Sequence, residues 1–261
     1  MIKSAFEKGK AFIPFITCGD PDTETTEKIL KEAYLNGADL IELGIPFSDP
    51  TAEGPVIQSA NTRALKNGVT TDGIFAMVER IRGDIKIPLV FMTYANVVYS
   101  YGADRFTRRC AETGIEGIIL PDVPFEEKGE FSSVCEKNGV DLISLIAPTS
   151  KKRISMIAGE AKGFIYVVSS LGVTGERKSI DTDLKPIIDT IRENTEVPCA
   201  VGFGISNPEQ AAGMAAISDG AIVGSAIIKI IEKYGKDSPA HVGEFVKKMA
   251  DAVHGTKDPA A

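Results

Sequence analysis

The sequence predicts an α/β fold, a (β/α)8 barrel in a single domain with extra helices. Eight short apolar runs recur at strand length, helical patterns separate them, and most strand-to-strand intervals are 20 to 30 residues, the size of one βα unit. No composition break divides the 261 residues, and barrels of this kind commonly fill such a length alone.

The first run, residues 11–17, is apolar throughout, as a strand covered on both faces must be. The turn Gly19-Asp20-Pro21-Asp22 follows, and Ile29, Leu30, Ala33 and Tyr34 then mark a one-sided helix. Further strands are expected at residues 40–43, 88–92, 117–120 and 141–145. A helix over 151–160 leads to the sixth strand, 164–168. Leu184, Ile187, Ile188 and Ile191 then take the i, i+3, i+4, i+7 spacing of a helix, with Thr182 and Asp183 as caps and Pro186 harmless in the first turn. Strands at 198–201 and 220–223 flank a helix at 208–216, and helices at 226–233 and 238–253 close the chain. The barrel is expected to occupy residues 1–253, with 254–261 as a disordered tail. The longest gaps follow the second and sixth strands, where extra length at a barrel mouth is often functional.

Composition narrows the function. Hydrophobic residues make up 43% and charged residues 25%, as in a soluble globular protein. The net charge of −7 argues against nucleic acid or an anionic membrane as the main partner. Cys18, Cys110, Cys135 and Cys199 have no CxxC or zinc spacing and read as reduced thiols of a cytoplasmic protein. The apolar stretch 11–16 is too short for a secretory signal and is broken by Pro14.

Four constellations carry chemistry. Gly202-Phe203-Gly204 follows the seventh strand and Gly224-Ser225 the eighth, just before the helix at 226–233. Either pair alone would read as turn glycines. At successive strand ends they suit a phosphate held by backbone N–H groups at a helix start. The stretch 169–177, Gly-bracketed and polar, reads as a lid or as a long loop without a role. Glu42 at the tip of the second strand stands with Asp49 and Glu53 on the loop that follows. For Glu42 alone a structural ion pair is the commoner explanation. His241 and His254 lie far from any strand tip, and no lysine lies in a strand, which disfavours a Schiff base. Phe15, Met92, Ile119, Tyr166 and Phe203 line the mouth as core packing or, jointly, as room for a flat apolar ligand.

Phe15-Ile16-Thr17-Cys18-Gly19-Asp20-Pro21, the run from Glu42 to Pro50, Tyr94-Ala95-Asn96, Pro121-Asp122-Val123-Pro124, Gly172-Val173-Thr174-Gly175 and Gly202-Phe203-Gly204-Ile205-Ser206 resemble the tryptophan synthase α family. The likeness covers nearly the whole chain. It implies cleavage of indole-3-glycerol phosphate to indole and glyceraldehyde 3-phosphate without a cofactor. It also implies a β-subunit partner that uses pyridoxal phosphate, in an α2β2 heterotetramer, with contacts from the mouth loops at 121–125 and 96–105. By this resemblance Glu42 is the general acid–base, Glu53 the second catalytic carboxylate, and Phe15, Tyr94, Tyr166, Thr174 and Phe203 bind substrate. Gly175, Gly204, Gly224 and Ser225 match the phosphate cradle, and no metal is implied.

The family's loop usually reads Asp-Pro-Leu-Ala-Asp-Gly-Pro, but here Thr51 replaces the leucine and Glu53 the second aspartate. The extra methylene adds about 1.3–1.5 Å of reach, and a misplacement near 1 Å can cost on the order of a hundredfold in rate. The smaller Thr51 is expected to let the Glu53 loop settle further back. Two other readings stay open, a stand-alone lyase and a weakly catalytic chain that acts mainly as an allosteric partner of the β subunit.

Overall fold

The computed structural model describes residues 1–169, 183–202 and 204–256. Strand and helix alternate from β1 (Ala11–Thr17) and α1 (Thr23–Leu35) to β2 (Ile41–Gly44), which two helices follow, α2 (Pro55–Lys66) and α3 (Thr71–Ile81). Next come β3 (Leu89–Met92), α4 (Ala95–Tyr101), α5 (Ala103–Thr113), β4 (Gly117–Ile119) and α6 (Gly129–Asn138). Then β5 (Asp141–Leu142), β6 (Ser144–Ile146), α7 (Lys151–Gly159), β7 (Ile165–Val168) and α8 (Lys185–Arg192) follow. Finally come β8 (Cys199–Gly202), α9 (Pro208–Ile217), β9 (Gly220–Val223), α10 (Ser225–Tyr234) and α11 (Ser238–His254).

All strand pairs are parallel, in the order β5-β4-β3-β2-β1-β9-β8-β7-β6. Among the described residues nine segments make eight barrel staves, because the run expected at 141–145 is broken at Ile143. Asp141 and Leu142 pair with β4, whereas Ser144 to Ile146 pair with β7. The chain changes partner at this point, and the change brings the two ends of the sheet together.

Local chemistry accounts for the surrounding helices. Asp22 caps α1 by accepting from Thr25 N, Thr70 caps α3 from Gly73 N, and Asn207 caps α9 from Gln210 N. Asp183 accepts from Lys185 N at the start of α8, while Thr182 lies outside the described residues. The gap after β2 is filled by α2 and α3 rather than by a loop. Beneath the barrel the 3₁₀ turn Ile2–Phe6 buries Ile2 against Gly117 and Gly163, where an added Cβ would meet its Cδ1 at 2.8 and 3.1 Å. His254, assigned to the tail from sequence, instead closes α11. Its Nε2 lies 2.7 Å from Asp39 Oδ2, and that oxygen also accepts from Phe12 N. Residues 257–261 lie outside the described set.

Candidate active site

Register sets the first contact. In the β1–β2 pair Phe15 stands opposite Glu42, so an aromatic ring and a carboxyl share one level of the barrel mouth. Two glycines make room for that ring. A Cβ on Gly44 would meet Phe15 Cζ at 2.6 Å, and one on Gly224 would meet Phe15 Cβ at 3.3 Å. Gly202 does the same for Tyr166, whose hydroxyl would lie 2.4 Å from a Cβ there.

One cavity collects Phe15, Glu42, Glu53, Tyr166, Gly204, Gly224 and Ser225, together with Met92 and several isoleucines. Seven of the expected site residues therefore meet. Gly204 has φ +81°, a backbone conformation that favours glycine. Ser225 opens α10 behind Gly224, and the first N–H groups of a helix have no acceptor within it. Thr174, Gly175 and Phe203 lie outside the described residues.

Three of the residues singled out from sequence lie outside the lining of this cavity. Tyr94 is buried behind the cavity, and its hydroxyl accepts from Ala52 N at 3.1 Å while its ring packs on Phe47, so it braces the loop that carries Glu53. Asp49 is exposed and pairs with Ser48 Oγ, away from the cavity. Ile119 also lies outside the lining.

The two carboxyls differ in their surroundings. Glu42 is fully buried, and neither oxygen has a hydrogen-bond partner among the described residues. Burial, reinforced by the Glu53 charge, pushes its carboxyl up to about 8. Burial pushes Glu53 up to about 7, opposed by a hydrogen bond from Asn61 Nδ2 to its Oε2 at 2.7 Å. That bond favours the charged form of Glu53, so the proton of the pair is retained by Glu42. Burial above all, with the Glu42 carboxyl nearby adding to it whenever that group ionises, pushes the Tyr166 phenol far above its usual range.

Asn61 was not identified from sequence, yet a signal exists. Ile57, Ala60, Asn61 and Ala64 form the buried stripe of α2 at i, i+3, i+4, i+7, and Asn61 alone in it is polar. Gln58 Nε2 holds the Glu53 carbonyl at 2.7 Å. Thr51 is exposed, so the volume it vacates lies at the surface, and α2 rather than position 51 accommodates the longer Glu53. Lys10 reaches Ser218 O at 2.8 Å at the opposite end of the barrel, remote from this chemistry.

A closed parallel barrel with two buried carboxyls in a cavity at its mouth, where enzymes of this fold carry their active sites, defines the class as a (β/α)8-barrel enzyme. A family model described as tryptophan synthase alpha chain matches residues 1–255. The tryptophan synthase alpha chain of Lacticaseibacillus casei is 48% identical over 256 residues, covering 98% of this chain and 96% of that one. Among solved structures, the tryptophan synthase alpha chain of Legionella pneumophila is 38% identical with a TM-score of 0.86, over 97% of this chain and 96% of that one. Mycobacterium tuberculosis tryptophan synthase gives 30% and 0.88, over 97% and 98%. The chain belongs to the tryptophan synthase alpha chain family and is a lyase of tryptophan biosynthesis. No described helix is long and apolar enough to cross a membrane.

Proposed function

We propose that the chain cleaves indole-3-glycerol phosphate to indole and glyceraldehyde 3-phosphate by a retro-aldol reaction, as the α subunit of a tryptophan synthase. One observation carries this reading: two buried carboxyls share a cavity and, among the described residues, only Glu53 of the two is hydrogen-bonded, by Asn61. Neutral Glu42 donates its proton to indole C3, which places positive charge on the ring nitrogen. The Glu53 carboxylate accepts a hydrogen bond from that N–H and stabilises the charge. The Glu42 carboxylate then takes the proton of the adjacent side-chain hydroxyl. The O–H electrons form the aldehyde C=O, the C–C bond breaks, and its electrons restore the indole ring. Glu42 ends protonated, as it began, and the chain needs no cofactor of its own.

Phe15, Met92 and the isoleucines suit the flat apolar ring, and Gly204 with the start of α10 suits the phosphate. The partner would be a β subunit that uses pyridoxal phosphate, in an α2β2 assembly in the cytoplasm. Both Asp122 oxygens accept from Ala95 N, at 3.0 and 3.2 Å, which ties the 121–125 loop to the start of α4, the helix that carries much of the 96–105 stretch proposed to face that partner. Tyr99 stands exposed on α4 within that stretch.

The test is steady-state cleavage of indole-3-glycerol phosphate with and without β subunit. Activity confined to the complex supports the subunit reading, and full activity alone marks a stand-alone lyase. Slow turnover in both, with β still activated, marks an allosteric partner. Glu42→Gln is expected to lower kcat by about 10²–10⁴. Undiminished turnover in that variant would overturn the mechanism.

A further inference from the structure

Arg63 takes no part in the bond changes above, yet three parts of the molecule meet on its guanidinium. It lies on α2, two residues beyond Asn61. Its Nε and Nη2 each donate to one oxygen of Asp20 at 2.8 Å, and the Asp20 side chain is fully buried. Nη1 donates to Ser59 Oγ at 2.9 Å and to Glu232 Oε1 on α10 at 2.8 Å. The loop after β1, the helix behind Glu53 and the helix that opens at Ser225 are thereby joined. Asn67, just past α2, donates to Pro21 O in the same loop.

Helical geometry gives the network its leverage. Ser59 and Arg63 are one turn apart, whereas Asn61 projects roughly from the opposite side at 100° per residue. Asn61 and Gln58 hold Glu53 there, by its carboxylate and its carbonyl. With a rim about 5–6 Å from the axis, a roll of ~10° shifts a group on the far side by about 1 Å. A shift of that size at reacting groups can cost on the order of a hundredfold. Two parallel N–H···O bonds fix an orientation as well as a distance, so the Arg63–Asp20 fork resists roll where a single contact would not.

We infer that Arg63 is a positioning residue: it sets the roll of α2 against the Asp20 loop and α10, and so holds Glu53 at the ring nitrogen of the ligand. The inference rests on the carboxylate mechanism proposed above. Because α10 begins at Ser225, the same contact links the proposed phosphate cradle to the catalytic carboxylate.

The experiment compares wild type with Arg63→Lys in the assembled enzyme. The lysine keeps the charge and loses the fork. The expected result is a fall in kcat of about tenfold or more with KM within about twofold. The acid limb of the kcat profile should move to higher pH, because a loosened Asn61 no longer favours the Glu53 carboxylate. Unchanged kcat overturns the inference. So does a fall in kcat with an unmoved acid limb, since a merely structural role would give that. If Arg63→Lys does not fold, Asp20→Asn replaces one acceptor of the fork by an N–H donor and leaves the contacts to Ser59 and Glu232 in place. It is expected to lose about three- to tenfold in kcat with the same shift of the limb, and wild-type kinetics would overturn the inference. A wild-type enzyme that cleaves no indole-3-glycerol phosphate would sink the reaction reading, a result distinct from either outcome.

Discussion

Both oxygens of Glu42 are buried without a partner among the described residues, which is costly for a charge and tolerable for a neutral carboxyl. Stability therefore depends on one proton, the same one that the proposed reaction uses. A carboxyl raised from 4.5 to about 8 holds more protons folded than unfolded between those values. Stability accordingly falls as pH rises through that window, and the loss is complete above it. Glu42→Gln carries no such cost, so its Tm should exceed that of wild type by about 5 °C or more at pH 9, with the gap closing at pH 5. Thermal melts at the two pH values check this, and equal Tm at pH 9 would show that Glu42 is not buried as a charge. Asn61 is the counterpart device. It leaves Glu53 the easier of the two to ionise, so identical residue types differ in charge.

At the level of elements, α2 holds Glu53 and α10 opens at Ser225, while α11 ties the chain end back to the barrel floor. His254 Nε2 reaches the Asp39 oxygen that also accepts from Phe12 N at the start of β1. The hydrogen bond and charge of Asp39, aided by Asp251 and opposed by burial and Lys247, raise the imidazole above 6.5. The ionic part of this contact is fully present below 6.5 and is lost as pH rises through the folded value. The pair is partly exposed, so screening limits it to about 1 kcal/mol or less. His254→Ala should lower Tm by about 2 °C at pH 5.5 and by less than half of that at pH 9. A loss that is equal at both pH values would remove the ion pair from the account.

Across the whole molecule the wall of helices is uneven. Helix α11 packs on α1, α9 and α10, but between α6 and α7 lies a cleft of about 600 Å³ beside the broken stave at Ile143. Among the described residues three ion pairs cross it: Arg153–Glu126 at 2.6 Å, Lys128–Glu160 at 2.8 Å and Lys162–Glu136 at 3.0 Å. Partly exposed pairs of this kind hold weakly and are screened by salt. Amides of α6 and α7 should exchange faster than those of α1 and α11, and the difference should widen at 1 M salt; uniform exchange would show the seam to be as tight as the rest. Much of this plan was legible in the residues themselves. Strand periodicity is local, and so eight staves, the tip position of Glu42 and the glycines after the last two strands could be read directly. Their partners could not. The seam at Ile143, Tyr94 turned to brace Ala52, Asp49 turned outward, and Asn61 and Arg63 working from opposite sides of α2 depend on which distant segments meet. The chain alone determined the barrel and the place of Glu42 at its mouth. Closure of the sheet decided which groups share the cavity, because contacts between residues far apart in sequence exist only once all the staves are in place.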